Sequence, residues 1–358
     1  MRTHAHDFTC LRGVIAGAVL IGAVPACDNI PTELPKWNTT WVIPSGTTDF
    51  SVGEFLPGGI AVSEGGSEFL LSLDPVTFSR SIGELCGPCS AADGFVVPKP
   101  AFTADFDADV ALPGEILSVE IAGGELMVEL EHDFSFDPIN PSASVDGYLV
   151  ITATRGSTLL AKDSINGATS ELPPNTPVLR QLSLGAGTVD GPITVGVRLH
   201  SPAGDPVLLD SDQRLTVSAS ANDVRVTETT VRITDQSVSA EEVELPLEDL
   251  DTEISDRVKS GALRMEIDNP FDVSGSLQVR ISAPGAAAIV KTLQIPAGVS
   301  SQRVEFSGSE LRSILGEPGV TMNVEGGVSS PTAGTAVRPN HAITIDGQLE
   351  LTVGPKEN

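Results

Sequence analysis

Apolar and polar residues alternate with a period of two along much of this chain. Leu263, Met265 and Ile267 alternate with Arg264, Glu266 and Asp268. Ile193, Val195, Val197 and Leu199 do so with Thr194, Gly196, Arg198 and His200, and Ile343 to Val353 repeats the pattern. This period puts one face of a strand in a core and the other in water. Asn269-Pro270 stops the first ladder, because Pro brings no N–H to it and Asn favours turns. A second strand follows over 277–281. The pattern predicts antiparallel sheets, each with a single buried side, packed as sandwiches. The best helical spacing is 251–261, where Ile254 and Val258 are four apart and Gly261 can end the helix.

The ladders recur in the same order at a spacing of roughly 130 residues, a length that suits one domain per copy. "VALP" at 110–113 matches "VELP" at 243–246, and "GELMVEL" at 124–130 matches "GALRMEI" at 261–267. Asn140-Pro141 is paired with Asn269-Pro270, "YLVITA" at 148–153 with "LQVRIS" at 277–282, and "RLTVSAS" at 214–220 with "QLELTV" at 348–353. The expected fold is all-β: two tandem antiparallel β-sandwich domains, over 95–220 and 221–354. Residues 37–94 are irregular. Strands ended by Pro44 and interrupted at Pro75, with a helical turn or loop at 51–59, are read as packing on the first sandwich, and a small separate domain is the alternative.

The unit "LRMEIDNPFDVSGSLQVRIS" over 262–282 resembles the late-embryogenesis-abundant group 2, or WHy, domain. Asn140-Pro141 with 148–153 resembles it in the first copy, except that Ser142 stands where Phe271 stands in the second. The resemblance implies an Ig-like sandwich that binds or shields, with no catalytic residues to carry over.

The start of the chain reads as targeting sequence. Arg2 and Arg12 flank a short basic region, and 13–23 is an apolar run too short to span a bilayer. Val24-Pro25-Ala26-Cys27 resembles the bacterial lipobox, which implies a signal peptide over 1–26, acylation of Cys27 and a membrane held through it. Residues 27–36, polar and Pro-rich, suit a tether. The net charge of -27 excludes nucleic acid as a partner. With Cys10 in the signal peptide and Cys27 acylated, Cys86 and Cys89 remain as one pair, in an oxidising compartment.

"CGPC" at 86–89 has the sequence of a thioredoxin active site, but that chemistry needs its first Cys at a helix N-terminus. Gly94 and Pro98 forbid a long helix after it, so a structural disulfide is the expected role and thiol-redox activity the alternative. "DFDAD" at 105–109 imitates a calcium loop, yet Val110 and Ile116 occupy the positions that need Gly and Glu. It is read as a strand with a charged outer face. His200 and His341 read as exposed. No nucleophile elbow, phosphate loop or HExxH is present, so neither catalysis nor a metal or other cofactor is expected. The sequence points to a cell-envelope lipoprotein with a non-catalytic binding or scaffold module, its partner an envelope protein or glycan. Trp37, Trp41 and Tyr148 are the aromatic candidates for a carbohydrate-binding alternative.

Overall fold

Alternation becomes strand almost wherever it occurs. The computed structural model describes residues 37–355 apart from 241, 249 and 251; the signal peptide, Cys27 and the tether lie outside the described residues. The N-terminal segment contributes β1 (Thr39–Ser51), β2 (Ile60–Val62) and β3 (Phe69–Ser81), followed by a helical turn, α1 (Ile82–Leu85). The first half then runs β4 (Val96–Lys99), β5 (Phe102–Val110), β6 (Ile116–His132), β7 (Tyr148–Arg155), β8 (Thr158–Asn166), β9 (Val178–Leu184), β10 (Gly187–Val189), β11 (Ile193–Ser201), β12 (Gly204–Leu208) and β13 (Arg214–Val231). The second half comprises β14 (Gln236–Ser239), β15 (Val243–Glu244), α2 (Thr252–Ser255), β16 (Val258–Asn269), β17 (Ser274–Ser282), β18 (Ile289–Ile295), β19 (Gly298–Ser307), α3 (Gly308–Arg312), β20 (Thr321–Ser329), β21 (Thr335–Val337) and β22 (Ala342–Val353).

The fold is all-β, its strands paired antiparallel, and the pairing order repeats. In the first half β9 and β10 pair with β6, which continues through β13 to β3; a separate sheet has the order β5-β11-β7-β8. In the second half the orders are β19-β16-β22-β1 and β14-β20-β17-β18. Inward side chains of the two sheets meet in the core, as where Phe78 of β3 approaches Phe106 of β5 edge-on at 5.8 Å. Burying each such side chain contributes about 1.5–3 kcal/mol. The halves share one continuous core: β21 pairs with β13, and Phe55 packs on Phe271 at 5.6 Å.

The N-terminal segment is divided between the halves. β3 pairs with β13, while β1 pairs with β22 from Thr39↔Val353 to Ser51↔Ala342. The assignment of residues 37–94 to the first sandwich is therefore corrected for β1, which fills in the second sheet the place that β3 fills in the first. Neither proline ends its strand. β1 shifts register between Pro44 and Gly46, and the β3 pairing slips between Val76↔Ala219 and Leu73↔Ala221, so each Pro sits at a bulge that needs no N–H from it. The segment at 51–59 begins with a 3-10 turn, Val52–Glu54, capped by Ser51 and Glu54.

The helix expected over 251–261 is one turn, Thr252–Ser255, and β16 already begins at Val258. Val258 is buried opposite Val353, and Gly261 lies inside the strand, where a Cβ would stand 2.6 Å from the Glu350 carbonyl. Tertiary pairing outweighs the local helical spacing here.

The internal match at the turn is also corrected. Asn269 is buried; its Nδ2 donates to the carbonyls of Val273 (3.0 Å) and Pro296 (2.9 Å), and its Oδ1 accepts from Phe271 N–H (3.1 Å). In the first half Asp137, not Asn140, makes this turn. Its Oδ1 accepts from Ile139 N–H (2.9 Å) and its Oδ2 from Leu172 N–H (3.1 Å). Leu172 lies between β8 and β9 as Pro296 lies between β18 and β19. Ile139 is buried like Phe271. Asp137-Pro138-Ile139 is thus the counterpart of Asn269-Pro270-Phe271. Asn140-Pro141 follows three residues later, with Asn140 exposed.

Candidate functional site

The outward residues of β5, β11, β7 and β8 form four cross-strand rows. Thr103, His200, Tyr148 and Asn166 make the first, then Asp105, Arg198, Val150 and Ser164. Asp107, Gly196, Thr152 and Lys162 make the third, and Asp109, Thr194 and Thr154 the last. The "DFDAD" strand reading is what the structure shows: Asp105, Asp107 and Asp109 alternate outward along β5.

The rows are organised by side chains. Thr103 Oγ1 and His200 Nδ1 lie 2.8 Å apart, and His200 stacks on Tyr148 with centroids at 5.0 Å. Arg198 holds Asp105 through two hydrogen bonds, of 2.6 and 3.1 Å, and that contact raises the guanidinium pKa. Thr194 donates to Asp109 at 2.7 Å. The third row has a gap, because Gly196 carries no side chain. A depression opens there, lined by Asp107, Tyr148, Thr152, Lys162 and Arg198. Neither Asp107 nor Lys162 has a hydrogen-bond or ion-pair partner among the described residues. The second half has a depression on its equivalent sheet, lined by Ser237, Ser239, Ser276, Gln278 and Glu325, and no aromatic ring or cation borders it.

Of the aromatic candidates, only Tyr148 stands on this face. Trp41 lies on β1 and Trp37 precedes it, largely exposed. Row geometry is invisible to a search along the chain, so sequence reasoning missed Lys162 and the pairing role of Arg198, and read Asp107 and His200 only as outward polar positions. The signal it held was alternation on "ITVGVRLH" and "DFDAD", whose polar positions could have been laid side by side.

A second cluster is buried beneath the turn of the first half. Lys99 is 4% exposed, and its Nζ donates to the carbonyls of Asp137 (3.1 Å), Pro138 (3.3 Å) and Asn140 (2.7 Å). Burial pushes its pKa down and the Asp137 charge pushes it back up. All three ammonium protons are used, so the group acts as an internal tie and is not available as a base. His132 is also buried, with Nε2 2.7 Å from the Leu172 carbonyl and its ring beside Phe134. Burial lowers its pKa from 6.5 against the opposing pull of that carbonyl and of Asp137, Asp133 and Glu131. The unfolded chain therefore takes up the proton first. Stability should be complete above about pH 6.5 and fall below it, by at most about 1.4 kcal/mol per pH unit. Urea midpoints at pH 8 and pH 5 should differ less in His132→Gln than in the wild type.

Cys86 and Cys89 are joined by a disulfide and both buried. Cys86 caps the C-terminus of α1 and precedes a 3-10 turn, Gly87–Ala92, so no α-helix dipole faces its sulfur. This geometry favours a brace for the loop before β4 over thiol exchange. His341, read as exposed, is partly covered: its ring packs on Phe271 at 5.5 Å, because the loop before β22 folds over the turn. Among the described residues no group of three or more His, Cys, Asp or Glu could hold a metal ion, and no helix is long and apolar enough to cross a membrane.

No family model and no curated protein matches the chain. Among solved structures, a protein of Parabacteroides distasonis ATCC 8503 thought to be secreted is similar at 11% identity and a TM-score of 0.33, covering 87% of this chain and 99% of its own. The cowpea mosaic virus top component is similar at 10% identity and a TM-score of 0.20, over 80% of this chain and 91% of its own. The tandem CBM22-1-CBM22-2 domain of Paenibacillus barcinonensis Xyn10C is similar at 9% identity and a TM-score of 0.19, over 78% and 98%. At TM-scores this low these likenesses establish neither fold nor function.

Proposed function

We propose that this chain is a cell-envelope lipoprotein, anchored through acylated Cys27, that acts as a non-catalytic binding module. Its binding surface is the outer face of β5-β11-β7-β8. The observation that carries this reading is the gap at Gly196, flanked by Asp107 and Lys162 without partners and bordered by the Tyr148–His200 stack. Arg198 is already tied to Asp105, and the hydroxyls of Thr103 and Thr194 are engaged with His200 and Asp109 within the rows, which supports recognition. The anchor rests on the lipobox-like "VPAC" at 24–27, and one membrane-bound acyl chain contributes about 0.8 kcal/mol per buried CH₂.

Two measurements test it. Mass spectrometry of the mature protein should find Cys27 as an acylated first residue; an unmodified N-terminus removes the anchor. The detergent-solubilised full chain should be retained by envelope fractions of its own cells. A Tyr148→Ala, Lys162→Met double variant should be released. Equal retention of the two proteins would take the binding surface off this face.

A further inference from the structure

We infer that the face over Gly196 binds an uncharged glycan chain, with a pyranose ring on Tyr148 and hydroxyls held by Asp107, Thr152 and Lys162. The inference rests on the reading of this face as the binding surface and names its ligand class.

Charge comes first. Asp105 and Asp107 are balanced by Arg198 and Lys162, so the depression is neutral in a chain of net charge -27. An anionic polymer would meet no excess of cations here and a repelling field around it. A cationic ligand would meet Arg198 and Lys162 at the site itself. An uncharged ligand fits, and the unpartnered carboxylate and ammonium then face groups that both donate and accept. Sugar hydroxyls do both.

Shape points the same way. Tyr148 projects from the sheet and is backed by His200, which is fixed in turn by Thr103. A ring held this way offers a rigid apolar platform with a polar tip, and little side-chain freedom is lost when a ligand covers it. The Tyr148 row and the Gly196 row are four residues apart on β11, or about 13 Å, longer than a single sugar ring. The open face suits a chain that passes across it more than a small molecule that must be enclosed. A peptide adding a strand needs free main-chain groups, and β11 and β7 are paired on both sides. The second half supplies an internal comparison. Its depression has serines and Gln278 but no ring and no cation, so it is not a second site of this kind.

The chain contains a single tyrosine, so ¹³C-tyrosine labelling of the full chain in detergent gives one ring signal. Xylohexaose, cellohexaose, chitohexaose and an anionic oligogalacturonate are titrated against it. At least one neutral oligosaccharide should shift the signal saturably. Lys162→Met should weaken that binding by about tenfold or more, and Gln278→Ala should leave it unchanged. No shift with any neutral oligosaccharide, or a stronger shift with oligogalacturonate, overturns the inference. Envelope retention separates this from failure of the underlying reading. Retention that depends on Tyr148, survives periodate oxidation of the envelope and is lost to protease keeps the binding face but makes its partner a protein. Retention that does not depend on Tyr148 sinks both. Unfolding midpoints for Tyr148→Ala equal to wild type show that the loss is local.

Discussion

Replacing Asn269 with alanine should cost about 3–5 kcal/mol, read as a lowered urea midpoint. The side chain closes the turn between β16 and β17 and ties it to the β18–β19 loop through three hydrogen bonds. Alanine leaves the Phe271 N–H and the Val273 and Pro296 carbonyls without that partner in a buried site, at about 1–3 kcal/mol per stranded group. Asn269→Asp should be worse still at neutral pH. It keeps the bond from Phe271 but turns a carboxylate toward two carbonyl oxygens. Its pKa would be raised in the folded state, so its contribution is most favourable at low pH and is lost as pH rises through the folded value. The stability gap between the Asp and Ala variants should therefore narrow on acidification; a constant gap between pH 4 and pH 8 would show that the two carbonyls do not face the substituted group.

Lys99→Met should destabilise the first half by about 3 kcal/mol, because an apolar side chain of similar length leaves the carbonyls of Asp137, Pro138 and Asn140 without a common donor. Lys99→Arg should not restore stability. A planar guanidinium cannot converge on three carbonyls as a tetrahedral ammonium does, and Lys99 is packed beside Phe136 at 6.0 Å. Urea midpoints for both variants check this, and an Arg variant as stable as wild type would mean that charge alone suffices.

These two sites explain why the repeat was only partly legible. Both halves use one turn, but the second builds it on an amide that donates and the first on a carboxylate that accepts, with Lys99 supplying the cation. An eye searching for a second Asn-Pro settles on Asn140-Pro141 and passes over Asp137-Pro138. The strands were readable because burial on one side forces alternation, as on β11 and β22. The partner of β1 was not. Its own alternation is weak, broken near Pro44 and mostly exposed at its start, and nothing local tells an edge strand which of two similar sheets it completes. The candidate face was hidden for a related reason. Asp107, Gly196, Thr152 and Lys162 become a row only through pairing registers that no short stretch encodes.

The pairing of β1 with β22 also orders events in time. Thr344 donates to Asp49 across a sequence separation of 295. β1 leaves the ribosome early, yet its ladder partner among the described residues, β22, is made only after all the strands described between them. Until then it remains an unsatisfied edge, of the kind that recruits stray strands. Contacts this distant slow folding, so a nascent chain halted before β22 should depend on a holding chaperone, and its release should coincide with delivery of β22.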